Sequence, residues 1–482
     1  MNMAQPQYEQ QPYQNWSITD FTVGQIDSAD DNVIPDQAAA YSSNWISRYI
    51  GSMTTRPGQA RLTDAALGGA IQGLHSYYGA DRRIVAASNG AVDYWNGTAW
   101  VGLKTGLDAS ATVLFEDCVN YMVSFNGVNA PWKWDGAAVT ALANAPAKGR
   151  FAILHKEKLF TVDADTPSTL VWSNSTKPED WPAVNYWDVK KGDGDEITCL
   201  VKFFGEMVVF KRRSIHSLRG TSLDDFRLDE MDTRIGCVGR RAAVADGLRV
   251  YFVADDGLYE FNGMKATNIS KALIPKLWAT INKQHIHKAA VKAWGGLIWF
   301  ALPEGTSTYN NMVIIYDPPN ALTGKPGSFW PWRGINASCF IDYNSGTDVK
   351  LYAGDSAAGY VNQQDTGTKD FTDTAIAATW KGKNFDKGGV AYLAKAKKAF
   401  LELYPNSVGK PALQVALDYG AFTALTETYT DDFALEYRFS ATGRWRYLQP
   451  RITYTGIDGC HVRGLLIPVK PKKKPKVKAA VV

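Results

Sequence analysis

The serines and cysteines that could act as nucleophiles are not spaced for catalysis in this sequence. No Gly-x-Ser-x-Gly turn is present, and no cysteine is placed with a histidine in the pattern of a nucleophile and its base. A serine or cysteine nucleophile needs such a base held against it by the fold. The sequence therefore disfavours an enzyme and predicts no catalytic residue.

Two short patterns resemble metal sites only in part. His285 and His287 could present two imidazoles on one face of a strand, but no third ligand lies near them in the chain. Gly192–Glu196 (G-D-G-D-E) has the composition of a calcium loop without its twelve-residue spacing. We interpret the first as a polar strand edge and the second as a solvated turn, and expect neither metal nor cofactor.

Two pairs of adjacent carboxylates could be nominated for glycoside hydrolysis, Asp255–Asp256 and Asp30–Asp31. Adjacent carboxylates in a turn more often hydrogen-bond to the local backbone. The S-x-D-x-G-x-x-W motif of sialidase-like proteins is also missing. These pairs are therefore expected to shape turns.

The most concentrated charge lies at the C-terminus, where six lysines are interleaved with prolines: Lys470, Lys472, Lys473, Lys474, Lys476 and Lys478. Six phosphate contacts would give nucleic-acid binding a log–log salt slope of about −5. A solubilising, disordered end is the alternative. Both remain open, and these lysines are the candidate contacts to nucleic acid.

The elements that must position any site are short β-hairpins. Arg249–Gly263 reads as an apolar run, a turn at Asp255-Asp256-Gly257 and a second run closed by Asn-Gly. Glycine, asparagine and aspartate adopt the positive φ of such turns at little cost. Ser88–Gly97 repeats this phrase over the same length as Ala254–Gly263.

Aligning the repeats on the residue before the closing turn gives a ladder of seven apolar positions: Trp95, Trp134, Trp172, Leu218, Phe261, Tyr316 and Val361. Their mean spacing of about 44 residues is the period of a four-stranded blade. We therefore predict an all-β fold, a seven-bladed β-propeller. The alternative is a set of unrelated hairpins in a large β-sandwich.

The predicted organisation has four parts. Residues 1–58 form an N-terminal arm that clasps the ring or joins its last blade. Pro35-Asp36 opens a short helical stretch in this arm, and Asn44–Tyr49 forms a strand. Residues 59–370 form the propeller. Residues 371–468, where longer alternating strands appear, form an antiparallel β-sandwich, and residues 469–482 form a Lys-rich tail.

Bulk composition limits the class of protein. Of 482 residues, 45% are hydrophobic, and the formal net charge is +4, too balanced to indicate a nucleic-acid binder by itself. The five cysteines form no C-x-x-C pair, which favours buried thiols in a reducing compartment. No apolar run approaches 18 residues and no secretory signal begins the chain, so we expect no membrane span.

The chain resembles the tail hub or nozzle proteins of short-tailed bacteriophages, also called head-to-tail stabilisation or tail accessory proteins. The resemblance rests on D-N-V-I-P-D-Q-A (Asp31–Ala38), N-W-I-S-R-Y-I-G-S-M-T-T-R-P-G (Asn44–Gly58), V-V-F-K-R-R-S-I-H-S-L-R-G (Val208–Gly220), the hairpin repeats and a C-terminal β-domain. It covers nearly the whole chain but neither the glutamine-rich start nor the lysine-rich end.

The resemblance implies a structural virion protein, assembled in the host cytoplasm. It would form a hexameric ring below the portal and adaptor, contact tail fibres or tail tip proteins, and line the channel through which viral DNA leaves. Aromatic residues dominate interface cores, and the candidate contacts to neighbouring subunits or partners are Trp45, Tyr49, Trp172, Trp181 and Trp187. Near-neutral charge fits a conduit, because a strongly basic lumen would retain DNA.

The alternative function is a receptor-binding propeller at the tail tip. Trp172, Trp181 and Trp187 would then be aromatic platforms for a host glycan. Binding to adaptor rings rather than to host envelope would separate the two hypotheses.

Overall fold

The computed structural model describes residues 14–79, 81–222, 224–322, 324–386, 392–405, 407–431, 433–439 and 444–473. These residues form almost only antiparallel β-structure and divide into two compact units. The propeller unit comprises 58–318 and 331–367. The sandwich unit comprises the described parts of 1–57, 319–330 and 368–482.

The propeller unit is built from four-stranded antiparallel sheets, numbered here as blades 1 to 7. Blades 1 and 2 consist of Ile71–Tyr78, Arg82–Ser88, Ala91–Trp95, Trp100–Lys104, and of Leu114–Cys118, Tyr121–Phe125, Trp132–Trp134, Val139–Ala141. Blades 3 and 4 consist of Ile153–His155, Lys158–Val162, Thr169–Trp172, Tyr186–Asp188, and of Ile197–Phe203, Glu206–Lys211, Ile215–Arg219, Arg227–Asp232. Blades 5 and 6 consist of Ala243–Ala245, Val250–Ala254, Gly257–Phe261, Ala266–Asn268, and of Ala290–Trp294, Leu297–Leu302, Met312–Asp317, Ser328–Arg333, and residues 331–333 of this last strand belong to the propeller unit. Blade 7 consists of Cys339–Asn344, Val349–Gly354, Val361–Gln363 and Ala60–Arg61.

The ring is closed by a strand from the start of the unit. Ala60–Arg61 pairs with Val361–Gln363, so blade 7 combines three strands from the end of the unit with one from its beginning. The first strands of blades 7, 1 and 2 contact one another in turn, as do those of blades 4, 5, 6 and 7. The seven-bladed propeller is therefore confirmed. The predicted joining of the arm, residues 1–58, to the last blade is corrected: the closing strand begins at Ala60, within the predicted propeller, and the strands of the arm lie in the sandwich unit.

The apolar ladder marks the same strand in every blade. All seven ladder residues lie in third strands, and six of them are fully buried, while Trp95 is half-buried. Trp172 of blade 3 packs in one cluster with Met207, Val209 and Leu218 of blade 4. Each blade is too thin to bury its own faces, so this packing between neighbouring sheets supplies the core.

The hairpin of Arg249–Gly263 forms as predicted, but glycine serves there for a different reason. Ala254 lies opposite Gly257 across a two-residue turn. Gly257 does not have a positive φ; a Cβ there would lie 2.4 Å from Asn268 Nδ2 on the next strand. In blade 1, by contrast, Asn89 and Gly90 both adopt positive φ, 46° and 76°.

The sandwich unit contains two antiparallel sheets. The eight-stranded sheet runs in the order Trp45–Ile46, Met53–Thr55, His461–Lys473, Lys398–Leu403, Ala434–Arg438, Thr426–Thr430, with Gln14–Ile18 and Tyr392–Ala396 also paired to His461–Lys473. The six-stranded sheet runs in the order Tyr41–Ser43, Ile376–Lys381, Tyr447–Gly456, Ala412–Leu417, Thr423–Ala424, with Phe385–Asp386 also paired to Tyr447–Gly456. The arm thus supplies strands to both sheets.

Several local predictions are corrected. Pro35–Asp36 lies in a turn, and only Trp45–Ile46 of the expected strand is a strand, because the chain turns again before Met53. The last strand continues to Lys473, beyond the predicted start of the tail at 469, because Tyr392–Ala396 pairs with it. A short α-helix, Pro275–Ala279, precedes blade 6.

Candidate functional site

The segment Asn44–Gly58 is organised by the side chain of Arg56. Its Nη1 donates to Asp370 Oδ1 at 2.8 Å, its Nη2 to Asp370 Oδ2 at 2.5 Å, and its Nε to Asn44 Oδ1 at 3.1 Å. The Arg56 and Asp370 side chains are only 1% and 8% exposed. This part of the sequence motif therefore ties the arm to the beginning of the C-terminal strands.

The turn that precedes Arg56 presents two apolar side chains to solvent. Tyr49 and Ile50 are 68% and 61% exposed. The Tyr49 carbonyl accepts from Ser47 Oγ at 3.0 Å and from the Ser52 amide at 3.2 Å, and the Gly51 amide donates to Thr22 Oγ1 at 3.1 Å. The turn is thus held in one shape, and it connects the two strands at one edge of the eight-stranded sheet.

The opposite edge of the same sheet also carries exposed aromatic residues. All five residues of Thr426–Thr430 are exposed, and within the described ranges this strand pairs only with Ala434–Arg438. Tyr429 and Phe433 are 59% and 57% exposed. An edge strand leaves backbone donors and acceptors open to another chain.

The predicted tryptophan surface is largely internal. Trp45 and Trp172 are buried, Trp45 in the sandwich unit and Trp172 in the core between blades 3 and 4. The predictions that Trp45 and Trp172 contact a partner, and that Trp172 binds a glycan, are wrong, because both rings complete the core. Trp181 and Trp187 are half-buried; Trp181 Nε1 donates to Pro178 O at 2.7 Å, and Trp187 packs on the cluster around Trp172.

The lysines divide between the last strand and the chain end. Lys470, Lys472 and Lys473 belong to His461–Lys473, where they lie opposite Lys395, Leu393 and Tyr392. Lys474, Lys476 and Lys478 lie outside the described residues. An extended tail for the first three is therefore corrected to a paired strand.

The carboxylates of the acidic turn Gly192–Glu196 bind to basic side chains and to backbone amides. Asp193 Oδ1 accepts from Lys211 Nζ at 2.6 Å, Asp195 accepts from the backbone amides of Arg212 and Arg213, and Glu196 pairs with Arg150. Among the described residues no cluster of three acidic, histidine or cysteine side chains could hold a metal ion. The composition that suggested calcium thus reflects ion pairing.

The other candidates for chemistry also have structural partners. Asp255 forms an ion pair with Arg212, and Asp256 accepts from Tyr259 Oη. His287 belongs to the 3₁₀ helix Ile286–Lys288 and His285 immediately precedes it, so the predicted strand at this position is wrong. The five cysteines are buried and unpaired, and burial raises the pKa of the Cys460 thiol to about 12.

A cavity that the sequence did not reveal lies in the propeller unit. It has a volume of about 540 Å³ and is lined by residues at or just before the first strands of all seven blades: Ile71, Thr112, Arg150, Thr198, Arg241, Ala289 and Ser338. Since the first strands are the innermost strands of a propeller, the cavity lies at one end of the ring's axis. We call it the axial cavity.

Five cationic side chains line the axial cavity against a single carboxylate: Arg150, Arg212, Arg240, Arg241 and Lys288, with Glu196. Arg150 pairs with Glu196, and Arg212 pairs with Asp255 outside the lining. Within the part of the chain that the structure describes, the other three cations form no ion pair. The axial cavity is therefore lined by uncompensated positive charge.

Two adjacent arginines carry most of this charge. Arg240 donates to Asn126 O at 3.2 Å, and Arg241 donates to Val113 O at 2.6 Å, to Ser338 O at 3.3 Å and to Gln72 O. These acceptors are neutral backbone carbonyls from blades 1, 2 and 7 and their connections. Burial, together with the charges of Arg150 and Arg241, lowers the pKa of Arg240 to about 10, so the guanidinium stays protonated at neutral pH.

Glu196 responds to the same field. Burial by itself would raise the pKa of this carboxyl, but the hydrogen bond from Arg150 and the charges of Arg150, Arg240 and Arg212 lower it below its usual value. The sequence carried a weak indication of the cavity in the doublets Arg212-Arg213 and Arg240-Arg241. The sequence did not show that the cationic residues of blades 3 to 6 would line one cavity.

Comparison with known proteins adds little to this geometry. No family model and no curated protein matches the chain. The extracellular domain of a protein described as a one component system of B. thetaiotaomicron is 9% identical, with a TM-score of 0.45 over 67% of this chain and 41% of that one. The computationally designed protein Ika8 is 12% identical, with a TM-score of 0.37 over 71% of this chain and 99% of that one.

The chain thus spans about two fifths of the length of the first of these solved structures. Likenesses at these scores carry no argument about function. A separate observation concerns membranes: in the described ranges, no helix has the length and hydrophobicity needed to cross one.

Proposed function

We propose that this chain is a structural virion protein, the tail hub or nozzle of a short-tailed bacteriophage. In this role it forms a ring, a hexamer, below the portal and adaptor, and the ring surrounds the channel through which viral DNA leaves. Tail fibres or tail tip proteins are its other partners. The succession of arm, seven-bladed propeller and β-sandwich is the order that the sequence resemblance implies, and it supports this proposal.

The observation that carries the proposal is the pair of exposed apolar edges on one sheet. Tyr49 and Ile50 lie at one edge of the eight-stranded sheet, and Tyr429 and Phe433 lie at the other. The two edge strands are five inter-strand spacings apart, which is about 24 Å at about 4.8 Å per spacing. A closed ring of identical subunits needs two different surfaces on each subunit, one meeting the other head to tail.

The apolar character of both edges suits assembly. Exposed apolar side chains scattered singly are ordinary on protein surfaces, but clustered ones mark interaction sites. Each edge here places two large side chains within five residues of each other, and hydrogen bonds hold the backbone of the Tyr49–Ile50 turn. Binding would therefore cost little conformational entropy at that edge.

Two double variants test the head-to-tail ring. Tyr49→Ser with Ile50→Ser removes one face, and Tyr429→Ser with Phe433→Ser removes the other. We expect the unaltered chain to form a ring by mass photometry and each variant to be monomeric, with little change in thermal stability because all four side chains are exposed. Mixing the two variants should give a dimer, since each retains the face that the other lacks.

The matched control is Leu322→Ser with Val408→Ser, which removes two side chains of the same unit that are 98% and 69% exposed. It should leave the ring intact and its binding to recombinant portal–adaptor rings unchanged. A chain that stays monomeric with and without the adaptor, or a mixture of variants that forms no dimer, would contradict the proposal.

The lysine-rich end gives a separate prediction about DNA. Deleting residues 474–482 leaves the last strand intact and removes three of the six lysines. If those three contact phosphates, the log–log salt slope of DNA retention should become shallower by about 3. The change is measured by retention on immobilised DNA over a salt series. Replacing Lys474, Lys476 and Lys478 by glutamine should have the same effect, whereas an unchanged slope assigns the lysines to solubility alone.

A further inference from the structure

We propose that the axial cavity is a binding site for a small oxyanion carrying two or more negative charges, such as a phosphate group or a polycarboxylate. Its lining shares no residue with the surfaces used in the proposed ring. It depends only on the seven blades and on the cations that they bring to one end of the axis.

The lining of the axial cavity carries an excess of positive charge. Arg240, Arg241 and Lys288 are cations without a carboxylate partner in the described residues, and they converge on one cavity from the segments that lead into blades 5 and 6. Gathering like charges costs free energy unless a counter-charge is present. An anion in the cavity would supply that counter-charge.

The two guanidinium groups of the lining, those of Arg240 and Arg241, are held in fixed positions from which they can donate to an oxyanion. Guanidinium groups bind phosphate and carboxylate oxygens in pairs. Arg240 and Arg241 are half-buried, and both line the cavity, so part of each side chain is open to a ligand there. Arg241 is fixed by three backbone carbonyls, and Arg240 by one, so both guanidinium groups are positioned in advance.

The volume of the axial cavity suits a small ligand. A cavity of about 540 Å³ falls within the range of sites for small ligands, about 300–1,000 Å³. The hydroxyl group of Thr112 adds a neutral polar group to its wall, whereas those of Ser110 and Thr198 donate to Asp108 and to backbone carbonyls. The cavity is therefore roomy enough for a pyrophosphate or a citrate and is lined for either.

The test is titration calorimetry of the full chain with inorganic pyrophosphate at low salt, with citrate in a parallel experiment. We expect pyrophosphate to bind and to raise the melting temperature above that in sodium chloride of equal ionic strength. Binding of pyrophosphate but not citrate assigns the site to phosphate groups, and binding of both assigns it to oxyanions in general. No binding of either at millimolar concentration overturns the proposal.

Variants show whether the axial cavity is responsible. Lys288→Gln removes an exposed cation, and Arg240→Gln keeps a donor for Asn126 O while removing the charge. Each should weaken pyrophosphate binding about tenfold, the effect of losing one charge-assisted hydrogen bond. Glu196→Gln should instead tighten binding severalfold, because it removes the one carboxylate that the described residues contribute to the lining.

The opposite signs of these changes distinguish a binding role from a structural one. Lys271→Gln is the matched control, since Lys271 is exposed in the same unit and does not line the cavity. It should leave affinity unchanged. If Arg240→Gln does not fold, Lys288→Gln and Glu196→Gln decide the matter; equal weakening by Lys271→Gln and Lys288→Gln would show general surface attraction and refute the site.

Discussion

Replacing Arg56 by methionine is expected to lower the free energy of unfolding by about 3–5 kcal/mol, the cost of breaking a buried ion pair by removing one partner. The Asp370 carboxylate is 8% exposed and would lose both donors of the guanidinium group. Asn44 Oδ1 would lose its bond from Arg56 Nε as well. Urea unfolding followed by tryptophan fluorescence measures the loss.

A second substitution shows whether the charge is the cause. In the double variant Arg56→Met with Asp370→Leu, no buried charge is left unpaired, and two apolar side chains can pack in its place. Such replacements are often neutral, so much of the lost stability should return. A loss below about 1 kcal/mol for Arg56→Met would instead place the pair among weak surface ion pairs.

Acidification should destabilise the protein through His155. This side chain is 6% exposed, its Nε2 has no hydrogen-bond partner in the described residues, and its ring lies 6.1 Å from that of Phe160. Burial lowers its pKa to about 4, with smaller contributions from Lys156, Lys202 and Lys158. The unfolded chain therefore takes up a proton near pH 6.5 that the folded chain binds only near pH 4.

The sign follows from this difference in proton uptake. Above pH 6.5 both states leave His155 neutral, and its titration contributes no pH dependence. As the pH falls from 6.5 to 4 the unfolded state gains protons first, so the free energy of unfolding should decrease by up to about 3 kcal/mol.

The measurement is the urea midpoint as a function of pH. His155→Phe and His155→Gln cannot titrate, and both should flatten the loss between pH 6.5 and 4 although they pack differently. If the two variants keep the full slope of the unaltered chain, the acid sensitivity belongs to other groups.

Much of the fold was readable from local patterns. The hairpin of Arg249–Gly263 forms where it was predicted, and the seven ladder positions all fall in third strands. These predictions held because a blade is a local structure: its strands are consecutive and joined by short turns, so their apolar alternation and turn residues lie close together in the sequence.

The candidate sites were less accessible to the same reasoning. Tyr49 was nominated for a partner contact and is exposed, whereas Trp45 and Trp172, nominated with it, are buried. Tryptophan is common both in protein cores and in interfaces, so its presence in a sequence does not distinguish the two. Only the packing of blade 3 on blade 4 distinguishes the two for Trp172.

The sequence by itself determined the repeat, the strand pairs within each blade and the change to longer strands near residue 371, because these depend on neighbours a few residues apart. The tertiary structure decided the rest. Arg56 meets Asp370 across 314 residues, the arm completes both sheets of the sandwich unit, and Arg240, Arg241 and Lys288 share one cavity. Ring closure and sheet packing bring such residues together, and neither can be predicted from the spacing of residues along the chain.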